Sequence, residues 1–169
     1  MDFFNIVNSR RSVRSFKSDA VPRTVLEKIA AAGQEAPSGC NVQGKQFIIV
    51  DDPDVMARMR ELSPALNSAP AAVVLAIEPE ETKFGPFWVQ DASAAMENML
   101  LAAVALGYAG CWVEGAIRRC EDDLREILGV PEHLRVWSLT PVGIPETIPD
   151  RPTKPTPDEV THLNRFGQS

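Results

Sequence analysis

Residues 92–107 read ASAAMENMLLAAVALG, and their spacing decides the fold. Ala92, Ala95, Met96, Met99, Leu100, Ala103 and Leu106 recur at steps of three and four, which lays one apolar stripe along a helix ending near Gly107. Leu101, Ala102, Val104 and Ala105 lie off the stripe and are apolar too, so this helix expects cover nearly all round, with a second chain as one source of it. Downstream, Ala109–Val113 reads as a strand and 117–128 as a helix stopped by Gly129 and Pro131. Leu134–Val142 reads as a last strand. Upstream, Ala71–Ile77 (AAVVLAI) has the length and apolarity of a buried central strand. Asp52 and Pro53 start a helix through Met59, and Gln46–Asp51 precedes it as a strand. A helix from Pro22 towards Ala36 and a short one over 2–9 complete the list. Helices and strands interleave throughout, and the 169 residues read as a single domain, 1–169.

From Gly143 the composition changes. Pro145, Pro149, Pro152, Pro155 and Pro157 work against regular helix or central strand, so 143–169 is expected to be an extended arm. Val160, Leu163 and Phe166 would dock such an arm on the domain or on a partner subunit.

Charge and composition bound the function. A net charge of −6 argues against a nucleic-acid partner, because that affinity grows with the phosphates a protein neutralises. No apolar run approaches the roughly 20 residues of a membrane span, and residues 1–14 lack the apolar stretch of a signal peptide, so a cytoplasmic protein is expected. Cys40, Cys111 and Cys120 are odd in number and lack CxxC spacing, which predicts free thiols. His133 and His162 fit no metal-ligand spacing, and no metal is assigned.

Against this acidic background, Arg10, Arg11, Ser12 and Arg14 stand out. Three guanidiniums and a hydroxyl could anchor one phosphate through charge-assisted hydrogen bonds; alternatively the cations simply complement a helix C-terminus. There is no GxxxxGK[ST] loop and no GxGxxG after a strand, so any nucleotide phosphate must be held by side chains. The stretch 36–43 (APSGCNVQ) is a turn-rich loop whose amides and hydroxyls could read the edge of a heterocycle or could satisfy their own backbone. The stretch 110–115 (GCWVEG) ends in an acid and a glycine, where backbone amides are free to meet a ligand.

Taken in order, RRSVRSF, APSGCNVQ, ENMLLAAVALGYAGCWVEG and PVGIP with its proline-rich basic tail resemble the FMN-dependent nitroreductase family over nearly the whole chain. The resemblance implies an α+β fold, with a central, mostly antiparallel sheet flanked by helices on both faces, in an intertwined homodimer. It implies that Arg10, Arg11, Ser12 and Arg14 hold FMN from one subunit while Pro37, Ser38 and Asn41 line the flavin from the other. Glu114 and Gly115 match the family's acid-glycine pair near the flavin N5, and Asp91 a polar flavin contact. No side chain is assigned a catalytic role, since the cofactor supplies the chemistry. Two departures stand out. Lys154 occupies the place of a phosphate-binding arginine, with Arg151 three residues earlier, so either could reach the phosphate. Gly44 and Lys45 follow Gln43 where a proline-tryptophan pair is frequent. Phe87 and Trp88 fall where relatives shape the substrate pocket, or belong to the core. The implied activity is NAD(P)H oxidation, with hydride passing through flavin N5 to a small acceptor such as a nitroaromatic, a quinone or another flavin. The rival reading is an FMN-binding carrier or sensor that NADH or NADPH does not reduce.

Overall fold

Seven consecutive buried residues, Ala71–Ile77, form the middle strand of the sheet in the computed structural model, which describes residues 2–168. This strand, β2, pairs antiparallel with β1 (Lys45–Val50) on one side and β3 (Arg135–Val142) on the other. Phe47 stands opposite Leu75, and Val74 opposite Leu139. Successive side chains of a strand leave on opposite faces. Ala72 and Val74 therefore join one core with α3 (Pro53–Leu62) and α5 (Glu121–Leu128), through Met56, Met59 and Leu124. Ala71, Val73, Leu75 and Ile77 join the other with α2 (Arg23–Gln34) and α4 (Trp88–Ala105), through Leu26, Ile29, Met96 and Met99. The expected α+β architecture, an antiparallel sheet with helices on both faces, is what the chain adopts.

One irregularity serves the core. Val136 and Leu139 are three residues apart yet point into the same cluster, which strict alternation forbids. Ala76 faces Val136 and Leu75 faces Ser138, so Trp137 is the extra residue of a bulge, and its ring enters the opposite cluster.

Four expectations need correction. The long helix starts at Trp88, and within one chain Leu101, Ala102 and Val104 are only half-buried and Ala105 is exposed. Residues 109–113 do not form a strand; they touch β3 through isolated bridges, Ala109 to Gly143 and Val113 to Leu139. Between those pairs the register would set Cys111 against Pro141, which has no N–H to give, so the ladder is interrupted at its middle. The helix over 117–128 is broken at Cys120 (φ −134°, ψ 26°) into a short turn, Ile117–Arg119, and α5. The break lets the Glu121 carboxylate accept from Arg135 at 2.7 Å and from the Val136 N–H at 3.1 Å, which docks α5 on β3. Finally, the arm is not extended throughout. It starts beside Ser15–Lys17, with Glu146 N–H donating to Ser15 O at 3.0 Å, and contains one helical turn, α6 (Pro157–Val160). Pro157 sits at the first helical position, where its missing N–H costs nothing, and Thr156 with Glu159 closes a capping box.

Candidate functional site

The arginine segment is held by what lies between its arginines. Helix α1 (Phe3–Ser9) is capped by Arg10, Val13 and Phe16 are buried in the core, and Ser12 and Arg14 on either side of Val13 face outward. Val13 N–H donates to Gly110 O at 3.0 Å, fixing the height of the segment beside the sheet. Gly110 is required there, because a Cβ would lie 2.3 Å from Thr140 Oγ1 and 2.5 Å from the Pro141 carbonyl oxygen.

Arg10, Arg11, Ser12 and Arg14 line a cavity of about 380 Å³ whose opposite wall is Pro149 to Pro152 and Lys154. Five cations, Arg10, Arg11, Arg14, Arg151 and Lys154, surround it, against the single carboxylate of Asp150. The helix-capping reading of the cluster applies to Arg11. Arg11 Nη1 donates to the Asn8 and Arg10 carbonyls, each at 2.8 Å, and so caps the end of α1. Among the described residues, however, its Nε is buried without a partner, and the Arg10 guanidinium has one ion pair, with Glu97 at 3.6 Å. An unsatisfied buried donor inside a cationic cavity fits a small dianion such as a phosphate monoester.

The 36–43 loop forms a second group, and none of its residues lines the cationic cavity. Pro37 is exposed and Ser38 half-buried, ahead of a short turn, Gly39–Asn41. Cys40 and Asn41 both take left-handed backbone, at φ 55° and 58°. Asp91, 7% exposed, accepts from Gly39 N–H at 2.8 Å. Phe87 packs on Gly39 so closely that a Cβ there would lie 2.5 Å from it. Trp88 packs edge-on against Trp137, ring centroids 4.7 Å apart, as part of the core.

Glu114 and Gly115 form the third group. Glu114 accepts from Trp112 Nε1 at 3.1 Å and pairs with Arg118, whose guanidinium lies 4.5 Å above the Trp137 ring. Among the described residues, no bond within the chain occupies the Gly115 N–H, and the space where its Cβ would stand is open. Cys111, directly before Trp112, is buried, and burial pushes its thiol up against the pull of Arg14. All three cysteines are free, and among the described residues no group of acids, cysteines and histidines is placed to hold a metal.

The family model described as the nitroreductase family matches residues 7–70 and 62–144. The chain belongs to the nitroreductase family. A protein of Archaeoglobus fulgidus named "Putative NADH dehydrogenase/NAD(P)H nitroreductase" is 38% identical, covering 83% of this chain and 84% of its own. The iodotyrosine deiodinase of Haliscomenobacter hydrossis is 26% identical, covering 85% and 79%. Among solved structures, the FMN-dependent nitroreductase of Clostridium difficile R20291 superposes with a TM-score of 0.79 at 26% identity, over 96% of this chain and 99% of that one. This nitroreductase-family chain is an oxidoreductase by that kinship, and among the described residues no helix is long and apolar enough to cross a membrane.

Sequence reasoning missed Glu97, Lys45 and Arg118. Glu97 carried a weak signal as an acid in the middle of the apolar helix. Lys45 and Arg118 carried none beyond ordinary surface charge, because their partners come from other elements or from a local turn.

Proposed function

We propose that this protein is an FMN-dependent NAD(P)H oxidoreductase that works as a homodimer on a small organic acceptor. The observation that carries the reading is the convergence of Arg151 and Lys154, from the far end of the chain, on the cavity lined by Arg10, Arg11, Ser12 and Arg14. The residues present fit the phosphate end of FMN: guanidiniums offer paired donors, and Lys154 adds a point charge beside Arg151, so both belong to the anchor. Pro37, Ser38 and Asn41, which lie outside that cavity in one chain, would line the flavin from the partner subunit. The open Gly115 N–H suits a donor to the flavin N5, with Glu114 steadied beside it by Trp112 and Arg118. Phe87 would close the acceptor pocket, and Trp88 would support it from the core.

FMN, when bound, supplies the redox chemistry, accepting hydride from NADH or NADPH and passing electrons to a nitroaromatic, a quinone or another flavin. The likeness to a deiodinase adds an iodinated aromatic to that set. The chain's own task is to bind, orient and keep one face accessible to donor and acceptor in turn. A cytoplasmic location suits a nicotinamide donor.

The test is an absorbance spectrum of the purified protein before and after NADH or NADPH is added without oxygen. Bound flavin whose visible band bleaches is the expected result. Flavin that stays oxidised makes the protein a carrier or sensor, and a protein that neither contains nor takes up FMN overturns the reading.

A further inference from the structure

The 36–43 loop holds a backbone that an isolated segment would not keep. Two consecutive non-glycine residues, Cys40 and Asn41, sit in the left-handed region, which persists only where surroundings over-determine it. Three contacts supply that. Asp91, buried in the first turn of α4, accepts from Gly39 N–H at 2.8 Å. Lys45, at the start of β1, donates from Nζ to the Ala36 carbonyl. Phe87 fills the space above Gly39. Asp91 and Lys45 also act on each other: burial lowers the Lys45 pKa, and the Asp91 charge opposes that shift.

We propose that Asp91 and Lys45 form a clamp that preorganises the 36–43 loop, so that Asp91 is a positioning residue rather than a flavin ligand. The clamp grips the loop at Ala36 and at Gly39 without engaging Pro37, Ser38 or Asn41, and Asn41 Oδ1 accepts from Gln43 Nε2 at 3.0 Å within the loop itself. Asp91 is buried and one of its oxygens accepts from the Gly39 backbone amide, which directs that oxygen into the chain, with the Lys45 ammonium acting on Asp91 through its field alone. This assignment rests on the flavin-binding reading only for what the loop finally touches. The clamp itself is made by residues of the chain alone.

Amide hydrogen exchange on the FMN-free protein separates the two. Opening of a local segment is read directly from its amides, whereas loss of a flavin ligand would leave them unchanged. Asp91→Ala should speed exchange of the Gly39–Asn41 amides on the order of tenfold or more, the loss expected for one hydrogen bond to a charged acceptor, while β2 amides stay protected. Asp91→Asn, which keeps an acceptor oxygen, should restore much of the protection. Lys45→Met, which keeps the stem and removes the ammonium, should also loosen the loop and serves if Asp91→Ala does not fold. Unchanged exchange at Gly39 in Asp91→Ala, or in Lys45→Met if only that variant folds, overturns the clamp. So does an Asp91→Ala protein with an intact loop that loses FMN, since Asp91 would then be a direct ligand. A wild-type protein that never binds FMN defeats the functional reading and leaves this measurement standing.

Discussion

Arg10 and Arg11 are neighbours with different jobs. Arg11 spends one nitrogen on carbonyls at the end of α1, so its loss would cost local structure as well as charge. Arg10 has only the partly exposed pairing with Glu97, and such pairs are worth about 0–1 kcal/mol. Arg10→Ala should therefore leave the melting temperature within a few degrees of wild type. It should still weaken FMN binding on the order of tenfold to a hundredfold, the equivalent of one charge-assisted hydrogen bond. Fluorescence titration with FMN beside a thermal melt checks both halves, and unchanged affinity would remove Arg10 from the anchor. The sequence marked the cluster by its density of charge in an acidic protein. It could not divide the labour, which depends on which carbonyls lie within reach.

At the scale of elements, the meeting of the arginine segment with 109–113 and β3 is built around a missing Cβ. Adding one at Gly110 drives it against the Pro141 backbone, which cannot swing aside as a side-chain tip could. Overpacking of this kind costs roughly 1–3 kcal/mol, so Gly110→Ala should lower the melting temperature by several degrees. The arginine segment, whose Val13 N–H donates to Gly110 O, would be displaced with it, and FMN affinity should fall as well. Loss of stability without loss of affinity would show that the arginines are placed independently of this contact. Apolar periodicity predicted α2 and α4, the Asp52–Pro53 start predicted α3, and apolar or β-branched runs predicted the three sheet strands, each within a few residues. The same reading overestimated 109–113, where apolar composition is present but the facing proline denies the ladder a donor.

For the whole molecule, the unfinished surface is the informative part. The outer side of α4 is half-covered, and Phe3, Phe4 and Phe166 are 62%, 74% and 92% exposed, an amount of aromatic surface that usually finds a partner. If the homodimer forms as proposed, light scattering at micromolar concentration should give twice the 18.5 kDa of the chain. A truncation after Glu146 should lose FMN together with Arg151 and Lys154. A monomer that binds FMN at full strength would refute the two-subunit site.

The sequence by itself determined the class and most of the local structure: where most helices and the central strand run, and which four motifs carry the nitroreductase resemblance. These are short-range properties, written in spacings of two, three or four residues and in the order of motifs along the chain. The tertiary structure decided what those spacings cannot encode. It brought Lys154 to Arg10 across more than a hundred residues, turned Asp91 inward onto Gly39, placed Trp137 in a bulge and set Trp88 edge-on against it. Each of these follows from which surfaces the packed sheet and helices bring into contact, and no local pattern states that in advance.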